Sequence, residues 1–496
     1  MTSTICIHGH FYQPPRENPW TNEIEPQPSA APFEDWNARI AYECYAPNCA
    51  AEILNAKGTV TRRVNTYRYL SFNFGPTLMS WLAKHERTTY DAIRQADAQS
   101  LVDRNGHGNA IAQGYHHVIL PLSSPLDRRT ELRWGIRDFQ SRFDRYPESI
   151  WLPETAVNTP TLEAMVDEGL KYVILAPEQA QAVRKIGRKA WSKVNHDSIE
   201  TSRPYRIKLP SGRSIAAFFY RPGPAQGVAF GGWLHDGEGM AKRMAKSATG
   251  LYHFATDGES YGHHHRKGEM ALAYCVKTLQ ELPDATMTNY GAYLAQTEVQ
   301  WEAKIVENSA WSCAHGVGRW SANCGCAIDP SQSGKQQWRH TLRIALNDLR
   351  NKIDQFYFES MSRLGRDPWL DRDRYIHDLI AQEGHHAPAC EGPVAGLRRT
   401  HAEAAAAIEH LLEIQRFRLM MFTSCGWFFD DPAGLETVQI LRYAYRAIKL
   451  VAQNGGPDFE PDFVDALAPM ASVHKDTPSG RDIWTDKIRP TAPVMV

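Results

Sequence analysis

Apolar residues fall in short runs of strand length through the first 300 residues and at helical spacing after about residue 330. Residues 4–7, 149–152, 172–175, 215–219 and 251–255 are apolar runs with strand character. Residues 79–98 are helical in composition. Thr159-Pro160 opens another helix, with threonine as cap and proline at the first helical position. Leu162, Met165 and Val166 form its apolar stripe, and Gly169 lies near its end. A strand, a helix and a strand within about 30 residues make a βαβ unit, and the repetition predicts a largely parallel sheet, either a barrel or open. The segment from about residue 11 to 47, with Pro19, Pro26, Pro28 and Pro32, is expected to be a long loop.

Beyond residue 330 the period changes. Trp338, Leu342, Ala345, Leu349, Ile353 and Phe356 share a helical face, as do Ala404, Ile408, Leu411, Leu412 and Leu419. Val438, Leu441, Tyr445, Ile448 and Ala452 define a third helix, which stops at Asn454-Gly455-Gly456. Residues 384–396 read as a connecting loop, and the end from about residue 472 has no clear period. A chain of 496 residues is too long for one core. The expected domains are an α/β unit over residues 1–300 and an all-α unit over 301–496.

Charge and composition remove several functions. Lysine plus arginine (55) balance aspartate plus glutamate (56), so no basic field exists to hold nucleic acid. No apolar run reaches the roughly 18 residues of a membrane span. Met1-Thr2-Ser3-Thr4 leads straight into the first apolar run, without a secretory signal, and the nine cysteines are too scattered for a disulfide framework. A cytoplasmic protein is expected. Cys324-Gly325-Cys326 has no second cysteine pair facing it and reads as structural or reactive thiols, with zinc as the other reading. No cofactor or catalytic metal is expected, and the oligomeric state is left open.

Chemistry concentrates where strands end. Residues 251–265 pass from an apolar run to Asp257-Gly258-Glu259, then Tyr261-Gly262 and three histidines, His263 to His265. His8 and His10 alternate on a strand and so share a face. Trp151-Leu152-Pro153-Glu154 sets a glutamate beside apolar rings, a setting for a carboxylate with a task. Two carboxylates from distant parts of the chain, meeting at one sheet end, are the minimal apparatus for glycoside hydrolysis. A sugar also needs aromatic platforms, and among the 14 tryptophans Trp151, Trp233, Trp311, Trp320 and Trp427 are candidates.

The order of these motifs resembles glycoside hydrolase family 57, which acts on α-glucans. Its H-x-H-Q-P motif is matched by His8-Gly9-His10-Phe11-Tyr12-Gln13-Pro14, with two residues inserted. Its Y-x-H-P-I-L-P-L region is similar to residues 115–122, with His117 retained and Val118 for the proline. W-L-P-E stands unchanged at residues 151–154, and D-x-E-x-F-G-H resembles residues 257–263 with Tyr261 for phenylalanine. The resemblance implies an incomplete (β/α)7 TIM-like barrel followed by a helical domain that completes the cleft. It implies Glu154 as nucleophile and Asp257 as general acid/base in retaining cleavage of an α-1,4-glucan or oligosaccharide, by hydrolysis or transfer. His8, His10, Gln13, His117, Trp151, Glu259 and His263 would bind substrate, with Trp311, His315 and Trp427 from the later region. In relatives a late segment also supplies an acidic residue. Neither residues 308–316 nor 423–427 carry one at the expected place. Two other readings stand beside this one. The first is a metal-dependent polysaccharide deacetylase using His8, His10, Asp257 and the 263–265 histidines. The second is a non-catalytic glucan-binding protein.

Overall fold

A computed structural model describes residues 3–247, 250–384, 392–472 and 478–492. The chain divides into two compact units. The first comprises Met1–Gln13, Pro26–Gln113 and Arg142–Glu307. The second comprises Pro14–Glu25, Gly114–Ser141 and Asn308–Val496. The content is mixed α/β with a helical C-terminal region.

Seven strands in parallel succession organise the first unit, β1 (Ser3–Phe11), β2 (Ser71–Phe74), β3 (Ala112–Gln113), β4 (Ile150–Trp151), β5 (Tyr172–Leu175), β6 (Ser214–Phe219) and β7 (Leu251–Asp257), and a further short strand, Ala285–Met287, also pairs parallel with β1. β1 pairs with β2 from His8↔Ser71 to Phe11↔Phe74. A bridge Phe72↔Ala110 leads to β3, β3 pairs with β4 through Gln113↔Trp151, and Ser149↔Tyr172 leads to β5. β5 pairs with β6. The Arg221 amide, just past β6, donates to the His253 carbonyl at 2.9 Å. β7 pairs with β1 from Thr4↔Leu251 to His10↔Asp257, so the succession returns to its start. β1 and β7 are buried along almost their whole length. That explains why they read as continuous apolar runs rather than alternating ones.

Several elements differ from the sequence expectation for local reasons. β1 runs through both histidines to Phe11 instead of ending before them, because His8 and His10 are satisfied inside the sheet. The expected loop contains a helix at Trp36–Ile40, whose first turn is closed by Asp35 accepting from the Ala38 amide. The helix expected over 79–98 is two, Pro76–His85 and Arg87–Asp103. The helix Thr159–Asp167 is capped by Asn158, which accepts from Thr161, and not by Thr159.

The second unit is helical: Trp338–Arg363, Pro368–Gln382, Ala402–Met420, Leu435–Gln453 and Glu460–Leu467 are its main helices. Pro368–Gln382 was not legible from periodicity, since its buried face includes Asp371, Arg372, Asp373 and Asp378. Its interior holds charge. The Asp127 carboxylate meets Arg372 at 3.0 Å and Arg418 at 2.7 Å. Burial raises the Asp127 pKa and the two guanidiniums more than offset it, leaving it at about 2. Much of the expected 384–396 loop, residues 385–391, lies outside the described residues.

Candidate active site

Glu154 lies just past β4 and Asp257 is the last residue of β7, both in the first unit. Glu154 sits in the left-handed region (φ 58°, ψ 22°), and Thr155 after it has φ 49°. Such a turn costs of order 1 kcal/mol or more and persists only when its surroundings hold it. Gln179 does so. Its amide oxygen accepts from Thr155 Oγ1 at 2.9 Å and from the Ala176 amide at 2.8 Å, and its nitrogen donates to the Thr155 carbonyl at 2.8 Å. The turn after β4 is thereby tied to the turn after β5.

Asp257 is accessible to solvent at the end of β7, yet protein surrounds it closely enough to desolvate it. Burial first, and the charge of Glu154 second, raise its pKa to about 7. Two residues on, Glu259 is 6% exposed. Its Oε1 accepts from Tyr45 Oη at 2.6 Å and from the Tyr12 amide at 3.0 Å. Burial, then the charge of Asp257, raise it to about 8. The glycine between them is required by packing: a Cβ on Gly258 would lie 2.2 Å from the Phe11 ring. Gly262 is likewise pressed against the Glu43 carbonyl, and His263 Nδ1 meets Glu43 Oε2.

The floor is a polar network across four strands. His8 is fully buried. Its Nδ1 lies 2.9 Å from Ser71 Oγ and its Nε2 3.1 Å from Asn73 Oδ1. Desolvation lowers its pKa to about 3, so it is neutral. Asn73 Nδ2 donates to His10 Nδ1 at 2.8 Å and to Gln113 Oε1 at 2.8 Å. Trp151 stacks on both imidazoles, with centroids 4.8 Å from His8 and 5.0 Å from His10. His10 also stacks on Tyr12. Gln13 donates to the Tyr12 carbonyl at 2.8 Å. Sequence reasoning missed Ser71, Asn73, Gln113 and Tyr45, which carry no motif of their own. It also missed Tyr220, a buried phenol after β6 whose pKa is pushed up by burial, then by Glu178 and Asp257.

The remaining expected residues lie in the second unit. His117 is buried, has φ 57°, and its Nδ1 is 2.6 Å from Ser424 Oγ. Trp427 has no exposed surface, and its indole nitrogen donates to the Arg339 carbonyl at 3.2 Å. A fully buried indole cannot serve as a sugar platform, so Trp427 is corrected to a core residue. Trp311 is half-buried. His315 faces sulfur, with Nδ1 3.4 Å from Cys326 Sγ. Among the described residues, His8, His10, Asp257 and His263 to His265 do not converge as a metal-ligand set.

Carboxylates gathered at the carboxyl ends of parallel strands, with Asp257 raised by the charge of Glu154 and a neutral histidine–tryptophan stack beside them, have the composition of a glycosidase site. Residues 19–300 match the family model of Glycosyl hydrolase family 57, and the chain belongs to that family. Residues 335–495 match a second model, a domain of unknown function (DUF3536). No curated protein matches the chain. Among solved structures it is similar to an exo-type maltose-forming amylase from Pyrococcus sp. ST04, at 14% identity and TM-score 0.67, covering 93% of this chain and 82% of that one. A branching enzyme from Pyrococcus horikoshii aligns at 13% identity and TM-score 0.55, covering 94% of each. A 4-alpha-glucanotransferase from Thermococcus litoralis aligns at 11% identity and TM-score 0.52, covering 91% of this chain and 60% of that one. At such identities these are likenesses of fold.

Proposed function

We propose that this protein is a retaining glycoside hydrolase of α-1,4-glucans or maltooligosaccharides, with Glu154 as nucleophile and Asp257 as general acid/base. The observation that carries the reading is the mutual placement of the two groups: Asp257 holds its proton to about pH 7 because it is desolvated and faces the charge of Glu154. Glu154 attacks the anomeric carbon as the bond to the leaving oxygen breaks, and the proton of Asp257 goes to that oxygen. Asp257, now ionised, takes a proton from water or a sugar hydroxyl. The oxygen so freed displaces Glu154 and restores both groups. Glu259, His10, Gln13 and His263 are assigned to sugar hydroxyls. His8 has protein partners at both nitrogens and acts through Asn73 and the Trp151 stack as a positioning residue. The return of the seven parallel strands to β1 supports an incomplete (β/α)7 barrel as the frame.

Product analysis on maltooligosaccharides tests the reading and resolves its outcome. Shorter chains and glucose mean hydrolysis, a ladder of longer chains means transfer, and new α-1,6 linkages mean branching. Glu154→Ala should lose turnover and regain it with azide, giving a glycosyl azide of inverted configuration. A Glu154→Ala variant with undiminished activity would remove the assignment.

A further inference from the structure

The second unit carries a cluster that the glycosidase chemistry does not use. Cys313, His315, Cys324 and Cys326 each present one ligand atom, and these atoms all lie within 4.8 Å of one another. Cys313 Sγ is 3.9 Å from Cys324 Sγ and 3.7 Å from Cys326 Sγ, and His315 Nδ1 is 3.4 Å from Cys326 Sγ. We propose that these four side chains bind one zinc ion in a closed tetrahedral site. With Zn–S near 2.3 Å and Zn–N near 2.05 Å, a tetrahedron has S···S edges of about 3.8 Å and N···S edges of about 3.5 Å. The two S···S separations and the N···S separation above match those edges, and the other pairs lie within 4.8 Å. They are far from the roughly 2.05 Å of a disulfide, and all three cysteines are free thiols.

The backbone is shaped to converge the ligands. Gly325 between Cys324 and Cys326 has φ +79°, and Gly316 directly after His315 has φ +73°. Gly325 lets the chain turn back between its two ligands in a region that other residues avoid, and Gly316 gives the chain the same freedom directly after His315. A Cβ on Gly318 would lie 3.0 Å from Cys324 Cβ and 3.4 Å from His315 Cβ, so a side chain there would press on the cluster. Three thiolates and a divalent ion leave one negative charge, and buried cations stand behind it. Arg339 donates to the Cys326 carbonyl and, at 3.2 Å each, to those of Phe428 and Phe429. Arg319 donates to the Phe428 carbonyl at 2.9 Å. The ligand loop is thus clamped to the segment after Trp427. Three sulfurs and an imidazole in tetrahedral array select zinc over hard cations, and four protein ligands leave no open position, so the ion is structural. On this reading His315 is a metal ligand and not a sugar contact. Cys324-x-Cys326 does have a partner pair: it is Cys313-x-His315.

The test is metal content of the full chain, purified under thiol reductant without added metal. About one zinc per chain is expected, surviving gel filtration. Cys324→Ser/Cys326→Ser should bring it close to zero. Because that variant can misfold, the unmodified chain is titrated with a mercurial while a colorimetric chelator reads released zinc, which should rise with thiol modification. Cobalt exchanged into the protein should show the visible bands and thiolate charge transfer of a tetrahedral sulfur site. Absence of bound metal, iron in place of zinc, or zinc retained after the double substitution would overturn the proposal.

Discussion

Glu259→Gln isolates one carboxyl in a crowded place. Glu259 is almost fully buried, and its pKa rises from 4.5 to about 8. A raised folded-state pKa means the folded chain holds a proton that the unfolded chain gives up. This group's contribution to stability is therefore complete below pH 4.5 and is lost as pH rises through 8. At 1.36 kcal/mol per pH unit the loss amounts to roughly 5 kcal/mol. Glutamine keeps an oxygen for Tyr45 Oη and the Tyr12 amide, the two bonds that Glu259 Oε1 accepts, and removes only the titration. Thermal unfolding of both proteins from pH 4.5 to 9 reads the difference. The variant should gain on the parent steadily with pH and be the more stable one at pH 9. Even a fifth of the figure, about 1 kcal/mol, shifts the melting temperature of a chain this long by roughly 1–2 °C. Parallel curves, with the variant offset equally at every pH, would refute the reasoning and make Glu259 an ordinary hydrogen-bond acceptor.

Glu154→Gln removes the charge facing Asp257, so the Asp257 pKa should fall below about 7, read by carboxyl chemical shifts across a pH titration; an unmoved Asp257 would mean the two groups do not interact. Gly258→Ala should cost about 1–3 kcal/mol by overpacking, because the Phe11 ring it strikes is stacked on Phe74 at 4.7 Å and cannot withdraw; denaturant midpoints check this. Asp127→Asn should destabilise the chain by about 3–5 kcal/mol, since it leaves Arg372 and Arg418 buried without their shared carboxylate. In the parent this stabilisation is present above pH 3.8 and is lost only as pH falls through about 2, so acid unfolding of the parent should be late.

The sequence by itself determined the buried strands around residues 4–7, 172–175, 215–219 and 251–255, the helices around Trp338, Ala404 and Val438, and the four motifs. Periodicity and residue type are local properties, and W-L-P-E and D-G-E are contiguous. The need for glycine at 258 was not legible there, because the contact that enforces it comes from Phe11, far away in the chain. Only the tertiary structure decided who neighbours whom. Asn73 joins His8 to His10 across β1 and β2, Gln179 holds the left-handed turn of Glu154 from the next strand, and Tyr45 reaches Glu259 over 214 positions. None of these residues sits in a pattern, because a hydrogen bond across a sheet needs one side chain in register and no period at all. Trp427 read as a platform, but burial is a property of the packed helices around it. The thiol pair at Cys324 and Cys326 read as solitary because its partners, a cysteine and a histidine, make no symmetric motif. The turn at Gly316 and the clamp of Arg339 bring them together in space.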